Sequence, residues 1–481
     1  MLFKLKKESF VRIYKDTGYI VNKFNFADRI MDQSGALFLS ALSREPKPIE
    51  ELVKLIVQNF VDADINEITK DAIDFFTVLE NEGFIVSGET EYEIETKDKG
   101  FLYSKLLGIP GYQNIALSQP DVDTQTYLVE QFKKNPQLMS FHIELTSRCN
   151  ERCVHCYIPH ENKIHDIDPA LFYDVLNQCK EMGVLDITFS GGEPMIHPEF
   201  CSFLRKAKKL DFAVGVLTNL TLLNDEIIET LKEGALSSVN VSLYSMNPEI
   251  HDSITKLPGS FIKTQAAILK LIDNNIPVQI NCPIMKQNKS SFLDVLKWGH
   301  EHKCRVLTDY VMMARYDHST DNLDNRLSPD EVGDVVMDIM NNDIVYQNRV
   351  LSPLFQSTSD RDISDDIICG VCITSLAMVA NGNIYPCSGW QEYVAGNVSE
   401  TPLNQIWNDS PKIKYLRSLR RKDFPKCLSC QDKNFCVLCM AHNSNEAPDG
   451  DIFKINEHFC KAAAINHKIA VDWKAKQRGK L

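Results

Sequence analysis

The stretch that decides the fold is 140-SFHIELTSRCNERCVHCY-157, where a short apolar run leads directly into a loop with three cysteines. The run FHIEL predicts a buried strand. In the loop, three residues separate Cys149 from Cys153 and two separate Cys153 from Cys156. Such a loop can wrap three corners of a cubane iron–sulfur cluster, which four cysteines normally hold. Because the next cysteine, Cys179, lies in a predicted helix, the sequence predicts one open iron that can bind a substrate.

Residues 139–345 alternate short apolar runs with helical stretches, which indicates an α/β fold. Strands separated by helices predict parallel pairing with right-handed crossovers. The pattern therefore predicts a partial (β/α) barrel of the TIM type, with six strands instead of eight. In such barrels the chemistry gathers at the carboxyl ends of the strands, where the three-cysteine loop also lies. The six runs are FHIEL (141–145), VLDITFS (184–190), FAVGVLT (212–218), SSVNVSL (237–243), VQINCPI (278–284) and RVLTDYVMM (305–313).

The loop TSRCNERCVHCY (146–157) resembles the signature of the radical S-adenosylmethionine superfamily. The resemblance implies that S-adenosylmethionine chelates the open iron of a [4Fe–4S] cluster through its amino and carboxylate groups. It also implies that an electron from the reduced cluster cleaves the sulfonium, and that the resulting 5′-deoxyadenosyl radical abstracts hydrogen from a substrate. For the three thiols alone, the alternative is a zinc site or unrelated cytosolic thiols.

Polar residues also follow other strands of the predicted barrel. Ser190-Gly-Gly-Glu-Pro194 comes after the second strand, where paired glycines allow close backbone approach and Glu193 can accept from an ammonium group. This segment resembles the GGE motif of the superfamily, which contacts the methionyl amino group. For each such residue, the alternative is ordinary polarity at a strand end. By the resemblance, the predicted S-adenosylmethionine contacts are Tyr157, Gly191, Gly192, Glu193, Ser242 and Asn281, with Lys286 beyond them.

The C-terminal part of the chain contains eight cysteines, enough to hold two cubane clusters with four ligands each. Their arrangement resembles the SPASM domain, which carries two auxiliary [4Fe–4S] clusters, so three clusters are expected in the chain. The resemblance implies a first ligand set of Cys369, Cys372, Cys387 and Cys439, and a second set of Cys427, Cys430, Cys436 and Cys460. One spacing departs from the domain, because only two residues separate Cys436 from Cys439 where three are usual. The alternative is a zinc knuckle of Cys427, Cys430, Cys436 and Cys439.

Residues 1–95 have the pattern of a small α+β unit. Two apolar runs, FVRIY and TGYIV, predict a hairpin whose turn lies at 16–18, where Gly18 is able to take a positive φ. Helical stretches and a last short strand follow, and this order resembles the PqqD-like recognition element of peptide maturases. The resemblance implies a winged-helix-like domain that binds a leader peptide as an added strand at a sheet edge. The alternative is a similar domain that serves only stability or dimerisation.

Composition and charge limit the classes of function. The 481 residues carry a formal net charge of −13, which argues against general binding of nucleic acid. The sequence shows neither an apolar stretch of about 18 residues nor a secretory signal, so we expect no membrane span and a cytoplasmic, reducing environment. The expected domains are a recognition unit at 1–95, a linker at 96–138, a radical core at 139–345 and a SPASM domain with a C-terminal helix at 346–481.

Recognition element, radical core and SPASM domain together imply an enzyme that modifies a ribosomally synthesised precursor peptide bound through its leader. The expected reaction is hydrogen abstraction followed by formation of a thioether or another crosslink, with an external electron donor of the flavodoxin or ferredoxin type. The alternatives are oxidation of Cys or Ser to formylglycine, as in sulfatase maturases, and a non-catalytic zinc-binding adaptor. The sequence offers no clear catalytic acid or base. Candidates such as Asp309, Tyr310 and Asp317 lie near the sixth strand, where polar residues at a strand end are common.

Overall fold

The computed structural model describes residues 1–25, 27–60, 64–103, 124–162, 165–354 and 362–478. Residues 104–123, within the predicted linker, lie outside these ranges. The boundaries of the four expected domains stay a prediction. Across the described ranges, no helix combines the length and the apolar character needed to cross a membrane.

The N-terminal unit has two three-stranded antiparallel sheets and helices around a core of its own. The first sheet has the order β5-β1-β6 and the second the order β2-β3-β4. Leu52, Ile56 and Phe76, on two of the helices, are fully buried in this core. The strands are β1 (Leu2–Leu5), β2 (Ser9–Tyr14), β3 (Thr17–Asn22), β4 (Asp28–Met31), β5 (Lys47–Pro48) and β6 (Ile85–Gly88), and the helices are α1 (Gln33–Ala41), α2 (Ile49–Val57), α3 (Ile65–Asn81) and α4 (Glu91–Lys97).

The hairpin between β2 and β3 turns earlier than predicted. Lys15 takes the left-handed conformation, with φ 55°, and Gly18 lies inside β3 without a positive φ. A Cβ on residue 18 would lie 2.8 Å from Leu39 Cδ1 and 2.9 Å from Ala36 Cα, both on α1. The prediction for Gly18 was therefore wrong, since glycine here allows a helix to approach the strand closely.

The centre of the molecule is a partial barrel of six parallel strands, which confirms the predicted fold class. In sheet order these strands run β12-β11-β10-β9-β8-β7. The elements of this region are α5 (Thr124–Lys134), β7 (Ser140–Thr146), α6 (Pro169–Glu181), β8 (Asp186–Gly191), α7 (Phe200–Lys209), β9 (Ala213–Thr218), α8 (Asp225–Lys232), β10 (Ser238–Ser242), α9 (Pro248–Thr255), α10 (Ser260–Asp273), β11 (Val278–Pro283), α11 (Phe292–Glu301), β12 (Arg305–Asp309), α12 (Pro329–Asn342) and α13 (Ile344–Leu351).

The barrel strands bury one face more completely than the other. On β10, Val239 and Val241 are fully buried, whereas Asn240 and Ser242 stay half-buried. The alternation on β11 is the same, because Val278 and Ile280 are buried while Gln279 and Asn281 are half-buried. Successive side chains of a strand point to opposite faces. The apolar face is therefore covered by the helices, and the polar face lines an interior that can admit a ligand.

The sheet continues beyond the predicted six strands into the C-terminal region. There β13 pairs in parallel with β7, and β14 and β15 follow in antiparallel order. The C-terminal part therefore closes directly against the strand that leads into the three-cysteine loop. Its elements are β13 (Ser375–Met378), β14 (Asn383–Tyr385), β15 (Gly396–Asn397), α14 (Leu403–Asp409), α15 (Pro411–Ser418), α16 (Pro425–Leu428), α17 (Met440–Glu446) and α18 (Glu457–Arg478).

The N-terminal unit docks on the barrel at the amino ends of the strands. Arg12 is 7% exposed and donates to Val184 O at 3.0 Å and to Asp211 O at 2.6 Å, directly before β8 and β9. Lys23 pairs with Asp186 at 2.7 Å. An apolar cluster forms beside these contacts and includes Phe10, Tyr14, Tyr19, Val21, Leu128, Phe132, Leu185, Ala213 and Ala235. This unit and the three-cysteine loop thus lie at opposite ends of the barrel.

Candidate active site and iron–sulfur sites

The three-cysteine loop follows β7 at the carboxyl ends of the barrel strands. Its backbone is fastened to α9, because Val154 N donates to Ile254 O at 3.0 Å. Just before the loop, Arg148 donates to both carboxylate oxygens of Asp166, at 2.8 and 2.6 Å. These contacts hold the start and the middle of the loop against neighbouring segments.

The three thiols of this loop face one another. Burial raises the pKa of the Cys153 thiol well above its usual value, and the charges of Glu151, Cys156 and Cys149 raise it further. Cys153 Sγ also donates to Glu151 Oε2 at 3.3 Å. Crowded thiols that resist ionisation are stabilised as thiolates by a cationic metal centre, and thiolates are the ligands of iron–sulfur clusters. The donor set therefore fits the predicted cluster.

Gly191 and Gly192 lie where the loop after β8 presses against the three-cysteine loop. Gly192 N donates to Thr146 O at 2.8 Å. A Cβ on residue 192 would lie only 2.2 Å from Arg148 O and 2.7 Å from Cys149 Cβ. The sequence predicts a close approach to a ligand here, and the structure shows one to the cysteine loop itself. Glycine at 192 therefore helps to position Cys149.

Glu193 is fully buried behind these glycines. Its carboxylate accepts hydrogen bonds from Met195 N at 3.1 Å, Thr218 Oγ1 at 2.7 Å and Asn219 N at 2.7 Å. Burial raises its pKa to about 7, although the three donors favour the charged form. Asn219 Nδ2 in turn donates to Asn150 Oδ1 in the cysteine loop, at 2.9 Å. Thr218 and Asn219 are not among the predicted site residues, although the polar run TNLT after an apolar strand signals them.

Ser242 and Asn281 are neighbours, because they are opposed in the register of β10 and β11. Ser242 also lies next to the hydroxyl of Tyr244, which lies close to Cys153. That hydroxyl lies 3.4 Å from His155 Nε2, and Tyr244 is 3% exposed. Tyr244 was not predicted, since only the fold shows that it turns toward the cysteine loop. The roles of Ser242 and Asn281 toward S-adenosylmethionine stay a prediction.

Tyr157 lies between the three-cysteine loop and the C-terminal region. Its hydroxyl lies close to Ser388 and faces Glu144, Cys156 and Cys387. Burial of the hydroxyl, followed by the charge of Glu144, raises the pKa of Tyr157 well above its usual value. The contact of this ring with adenine stays a prediction. Its position between two cysteine groups was not predicted from the sequence.

A cavity of about 240 Å³ opens between the end of β7 and the turn that joins β13 to β14. Glu144, which is 2% exposed, lies at its wall and accepts from Gln391 Nε2 at 2.5 Å. A buried carboxylate in such a cavity can accept a hydrogen bond or a proton from an entering group. The cavity is lined by Glu144, Ser147, Ile158, His165, Tyr316, Val379, Ala380, Asn381, Tyr385 and Gln391.

Four residues from the sequence analysis lie apart from this network in the described part of the chain. Lys286 is exposed, and its Nζ donates to a backbone carbonyl at residue 324. Asp309 and Asp317 accept from backbone N–H groups two residues further along, and the Tyr310 hydroxyl accepts from Asn466 on α18. Their contacts are local or lead to the C-terminal helix, and burial raises the pKa of Asp309. The roles of Asp309, Tyr310 and Asp317 as acid or base stay a prediction.

The eight C-terminal cysteines fall into two groups of four. In the first C-terminal group, the charges of Cys369 and Cys387 raise the pKa of the Cys372 thiol. The charge of Cys439 likewise raises the pKa of the Cys387 thiol. Burial raises the pKa of both Cys372 and Cys387 to about 12. This group coincides with the first predicted ligand set and lies next to the Tyr157 hydroxyl.

The second C-terminal group contains Cys427, Cys430, Cys436 and Cys460. Burial, followed by the charges of the other three thiols, raises the pKa of Cys436 to about 11. Cys460 lies at the start of α18 and is exposed. Its charge raises the pKa of Cys436. Although only two residues separate Cys436 from Cys439, Cys436 lies near Cys427, Cys430 and Cys460, whereas Cys439 lies near Cys369 and Cys387. The ligand assignment itself stays a prediction.

All 15 cysteines are free thiols in this structure. Within the described ranges, no group of three or more His, Cys, Asp or Glu side chains is arranged to hold a metal ion. Four thiolates around one zinc ion lie within about 4 Å of one another, whereas a cubane distributes its ligands over separate iron corners. The chemistry of the donors, thiols in groups of three, four and four, fits iron–sulfur clusters.

Comparison with known proteins identifies the class. Residues 143–299 match the Radical SAM superfamily, residues 369–431 match the SPASM iron–sulfur cluster-binding domain, and residues 29–85 match coenzyme PQQ synthesis protein D, PqqD. The chain is therefore a radical S-adenosylmethionine enzyme. Within this class it carries a PqqD domain ahead of the radical core and a SPASM domain after it. The predicted family is confirmed, and with it the cofactors: a [4Fe–4S] cluster, auxiliary clusters and S-adenosylmethionine.

Similar proteins act on different substrates. The chain is 25% identical over 330 residues to the AdoMet-dependent heme synthase of Methanosarcina barkeri, covering 64% of this chain and 91% of that protein. It is 26% identical over 313 residues to the antilisterial bacteriocin subtilosin biosynthesis protein AlbA of Bacillus subtilis, covering 63% and 67%. Streptococcus suis SuiB, solved with precursor peptide SuiA, has a similar fold, with a TM-score of 0.62, 18% identity, and coverage of 95% and 100%.

Proposed function

We propose that this enzyme modifies a ribosomally synthesised precursor peptide by radical chemistry, with the peptide bound through its leader. The observation that carries the proposal is a PqqD domain docked, through buried contacts such as those of Arg12, on a radical core within one chain. Similarity to AlbA, a protein of bacteriocin biosynthesis, supports a peptide substrate. The fold shared with SuiB, which was solved with a precursor peptide, is consistent with it.

The proposed leader site lies along β4. In the described part of the chain this strand has one strand neighbour, β3, so its other edge can pair with an extended peptide. Arg29 on β4 bonds to Glu82 at the end of α3, at 3.0 Å, which brings the helix next to the strand. Val78 lies one helical turn before Glu82 and is 53% exposed. An apolar side chain beside an open edge suits an apolar leader residue.

Different residues of the chain have different roles in the proposed reaction. Cys149, Cys153 and Cys156 would hold the cluster that binds S-adenosylmethionine, and this pair would supply a 5′-deoxyadenosyl radical for abstraction of a hydrogen atom from the peptide. Tyr157, Glu193, Ser242 and Asn281 are the proposed contacts that orient S-adenosylmethionine. The proposed position of the peptide residue under attack is the cavity beside Glu144. As a thioether or another crosslink forms, the buried carboxylate of Glu144 would accept the released proton, and an auxiliary cluster would accept the released electron.

The test is anaerobic turnover of a candidate precursor peptide, followed by mass spectrometry. A crosslink removes two hydrogen atoms from the peptide. Oxidation of Cys to formylglycine removes two hydrogen atoms and also replaces sulfur by oxygen, so the product mass separates it from a crosslink. Oxidation of Ser to formylglycine removes only two hydrogen atoms, so that product is identified by the reaction of its aldehyde with a hydrazide reagent. The variant Cys149→Ala, Cys153→Ala, Cys156→Ala must form neither product nor 5′-deoxyadenosine. A wild-type protein that holds stoichiometric zinc and cleaves no S-adenosylmethionine would instead support the adaptor alternative.

Leader binding is tested separately with Val78→Asp. A carboxylate next to the proposed peptide edge must be desolvated on binding, so we expect leader affinity, measured by fluorescence anisotropy, to fall about tenfold. The matched control is Val345→Asp on α13, which has a similar exposure of 51%. Equal affinity in the two variants would contradict the assignment of the leader to β4, whereas cleavage of S-adenosylmethionine should survive in both.

A further inference from the structure

Arg417 lies next to the first C-terminal cysteine group. It is in the last turn of α15, and its Nε donates to Cys372 O at 2.6 Å. Cys372 is fully buried and takes the left-handed conformation, with φ 60°, while its own N–H donates to Ser375 O at 3.0 Å. An L residue keeps this conformation only where its surroundings hold it. The bond from Arg417 therefore helps to fix the backbone of a predicted cluster ligand.

The guanidinium of Arg417 is shielded from water on one side. Its Cζ lies 4.1 Å from the centroid of the Trp407 ring, which is on α14 and 4% exposed. Arginine stacks on aromatic rings in this way because its planar charge is weakly hydrated. Burial lowers the pKa of Arg417, but a guanidinium stays protonated in proteins. A permanent positive charge is thus held in a partly dry site beside Cys372.

One donor of this guanidinium has no acceptor in the described part of the chain. The Nη2 atom is buried and has no hydrogen-bond partner among those residues. A buried N–H group without an acceptor is rare in folded proteins and requires a reason. The charge of Cys372 raises the pKa of Arg417 against the effect of burial, so the cysteine group lies within electrostatic reach of the guanidinium. An acceptor is therefore expected on that side, where the sulfurs of a cluster accept hydrogen bonds.

The charge of Arg417 favours a negative charge on this cysteine group. Burial raises the pKa of Cys372 to about 12, and Arg417 acts in the opposite direction, toward the thiolate. The second C-terminal group also has a cation nearby, since Arg421 lowers the pKa of Cys427. Cys460 of that group is exposed, however, so solvent screens its charges more strongly than those around the fully buried Cys372. The two groups therefore differ in how strongly the protein stabilises an added electron.

We propose that Arg417 is a positioning residue for the cluster of the first C-terminal group, and that its Nη2–H donates a hydrogen bond to a sulfur of that cluster. The reduced cluster carries one more negative charge than the oxidised cluster. A charge-assisted bond to sulfur therefore stabilises the reduced form and raises the reduction potential. Arg417 thus makes the first group easier to reduce than it would be in the same buried site without a cation.

The consequence for the reaction rests on the proposed function. Closure of a crosslink from a carbon-centred peptide radical forms one bond and releases one proton and one electron. The peptide is oxidised, the proton goes to Glu144, and the electron reduces the first C-terminal group. This group lies beside the three-cysteine loop, because the Tyr157 hydroxyl faces both Cys156 and Cys387. The raised potential favours this cluster as the acceptor.

The first test is a redox titration of the full-length, anaerobically reconstituted enzyme without peptide, followed by electron paramagnetic resonance. The first group is identified by the potential that is missing from the Cys369→Ala, Cys439→Ala variant. Arg417→Gln keeps a polar amide but removes the charge, so reduction of this group should weaken about tenfold, or about 59 mV for one electron. Arg417→Lys restores the charge without the planar pair of donors and should recover part of the shift.

The matched control is Arg420→Gln. The Arg420 guanidinium donates to the carbonyls of Arg417 and Leu419, at 2.6 and 2.9 Å, so this variant loses a charge and hydrogen bonds on the same segment. Equal potentials of the first group in Arg417→Gln and Arg420→Gln overturn the proposal, and so does an equal shift of both C-terminal groups. The potentials are measured without peptide, so failure to modify a peptide contradicts only the proposed function.

The second test detects the hydrogen bond in the wild-type enzyme, and it therefore also decides the case in which Arg417→Gln loses iron. Arginine is isotopically labelled at its guanidinium nitrogens, and the reduced clusters are measured by pulsed electron paramagnetic resonance. A labelled nitrogen coupled to the first group is expected in wild type and in Arg420→Gln, and it should be absent from Arg417→Lys. Absence of this coupling in wild type, or its persistence in Arg417→Lys, overturns the proposal.

Discussion

Replacing Gly192 by alanine should disturb the three-cysteine loop more than any equally small change elsewhere in the barrel. The added Cβ would lie 2.2 Å from Arg148 O and 2.7 Å from Cys149 Cβ, where ordinary contacts are about 3.5 Å. Two backbone segments must therefore separate by about 1 Å. Overpacking of this kind costs about 3 kcal/mol. In a unit of about 200 residues this lowers Tm by about 6–12 °C.

The same displacement should release the radical cluster. Metal ligands tolerate errors of about 0.2 Å, so moving Cys149 by about 1 Å should remove about four of about twelve irons per chain. The assays are thermal unfolding and iron content of the anaerobically reconstituted protein. Gly215→Ala is the control, because a Cβ there meets Thr188 and Asn240 at 3.8 and 3.9 Å, which is ordinary contact. Full iron content and an unchanged Tm in Gly192→Ala, or equal losses in both variants, would refute the reasoning.

Three further outcomes are expected. Burial raises the pKa of Glu193 from 4.5 to about 7, so its protonation stabilises the fold below about pH 4.5, and up to about 3 kcal/mol is lost as pH rises through 7; Glu193→Gln should abolish this slope in urea unfolding. Changing Cys369 and Cys439 together should remove about four irons, whereas changing Cys369 and Cys427 should remove about eight, because the second pair spans both groups. Arg12→Ala should expose the N-terminal unit to proteolysis, since its buried hydrogen bonds contribute about 2–3 kcal/mol.

Each of these outcomes has a contrary result. A pH dependence of unfolding that is the same in wild type and Glu193→Gln would mean that this carboxyl does not titrate in the expected range. Equal iron loss in the two cysteine pairs would contradict the division into two groups. For Arg12, the control is Arg29→Ala, which removes a bond inside the N-terminal unit to Glu82. In the Arg29→Ala control, proteolysis should cleave within the unit and leave its docking on the barrel intact. Protease resistance of Arg12→Ala equal to that of wild type would contradict the reasoning.

The features that sequence predicts correctly depend on local pattern. The six barrel strands follow from short apolar runs between helices, and the cluster loop follows from the spacing of Cys149, Cys153 and Cys156. Eight cysteines likewise indicate a SPASM domain through their order and spacing along the chain. In each case the information lies in short stretches of sequence, so the pattern can be recognised without knowledge of the tertiary fold.

Features that join distant segments are not readable in this way. The contact of Gly192 with Arg148 exists because loops after two different strands meet, and Tyr244 reaches Cys153 only once β10 is in place. The extension of the sheet by β13 pairs residues more than 200 positions apart. Gly18 illustrates the same limit at short range, since the local sequence indicates a turn and the packing of α1 decides otherwise.

Docking of the N-terminal unit at the amino ends of the strands sets a minimum distance between that unit and the three-cysteine loop. A peptide held by that unit must pass the full height of the barrel to reach the three-cysteine loop. Strand β7 alone has seven residues, or about 20 Å. An extended chain covers this distance with no fewer than about six residues, and a path around the barrel wall needs more. On the proposed binding of the leader to the N-terminal unit, residues closer than that to the leader are out of range, and lengthening or shortening the spacer should shift the modified position accordingly.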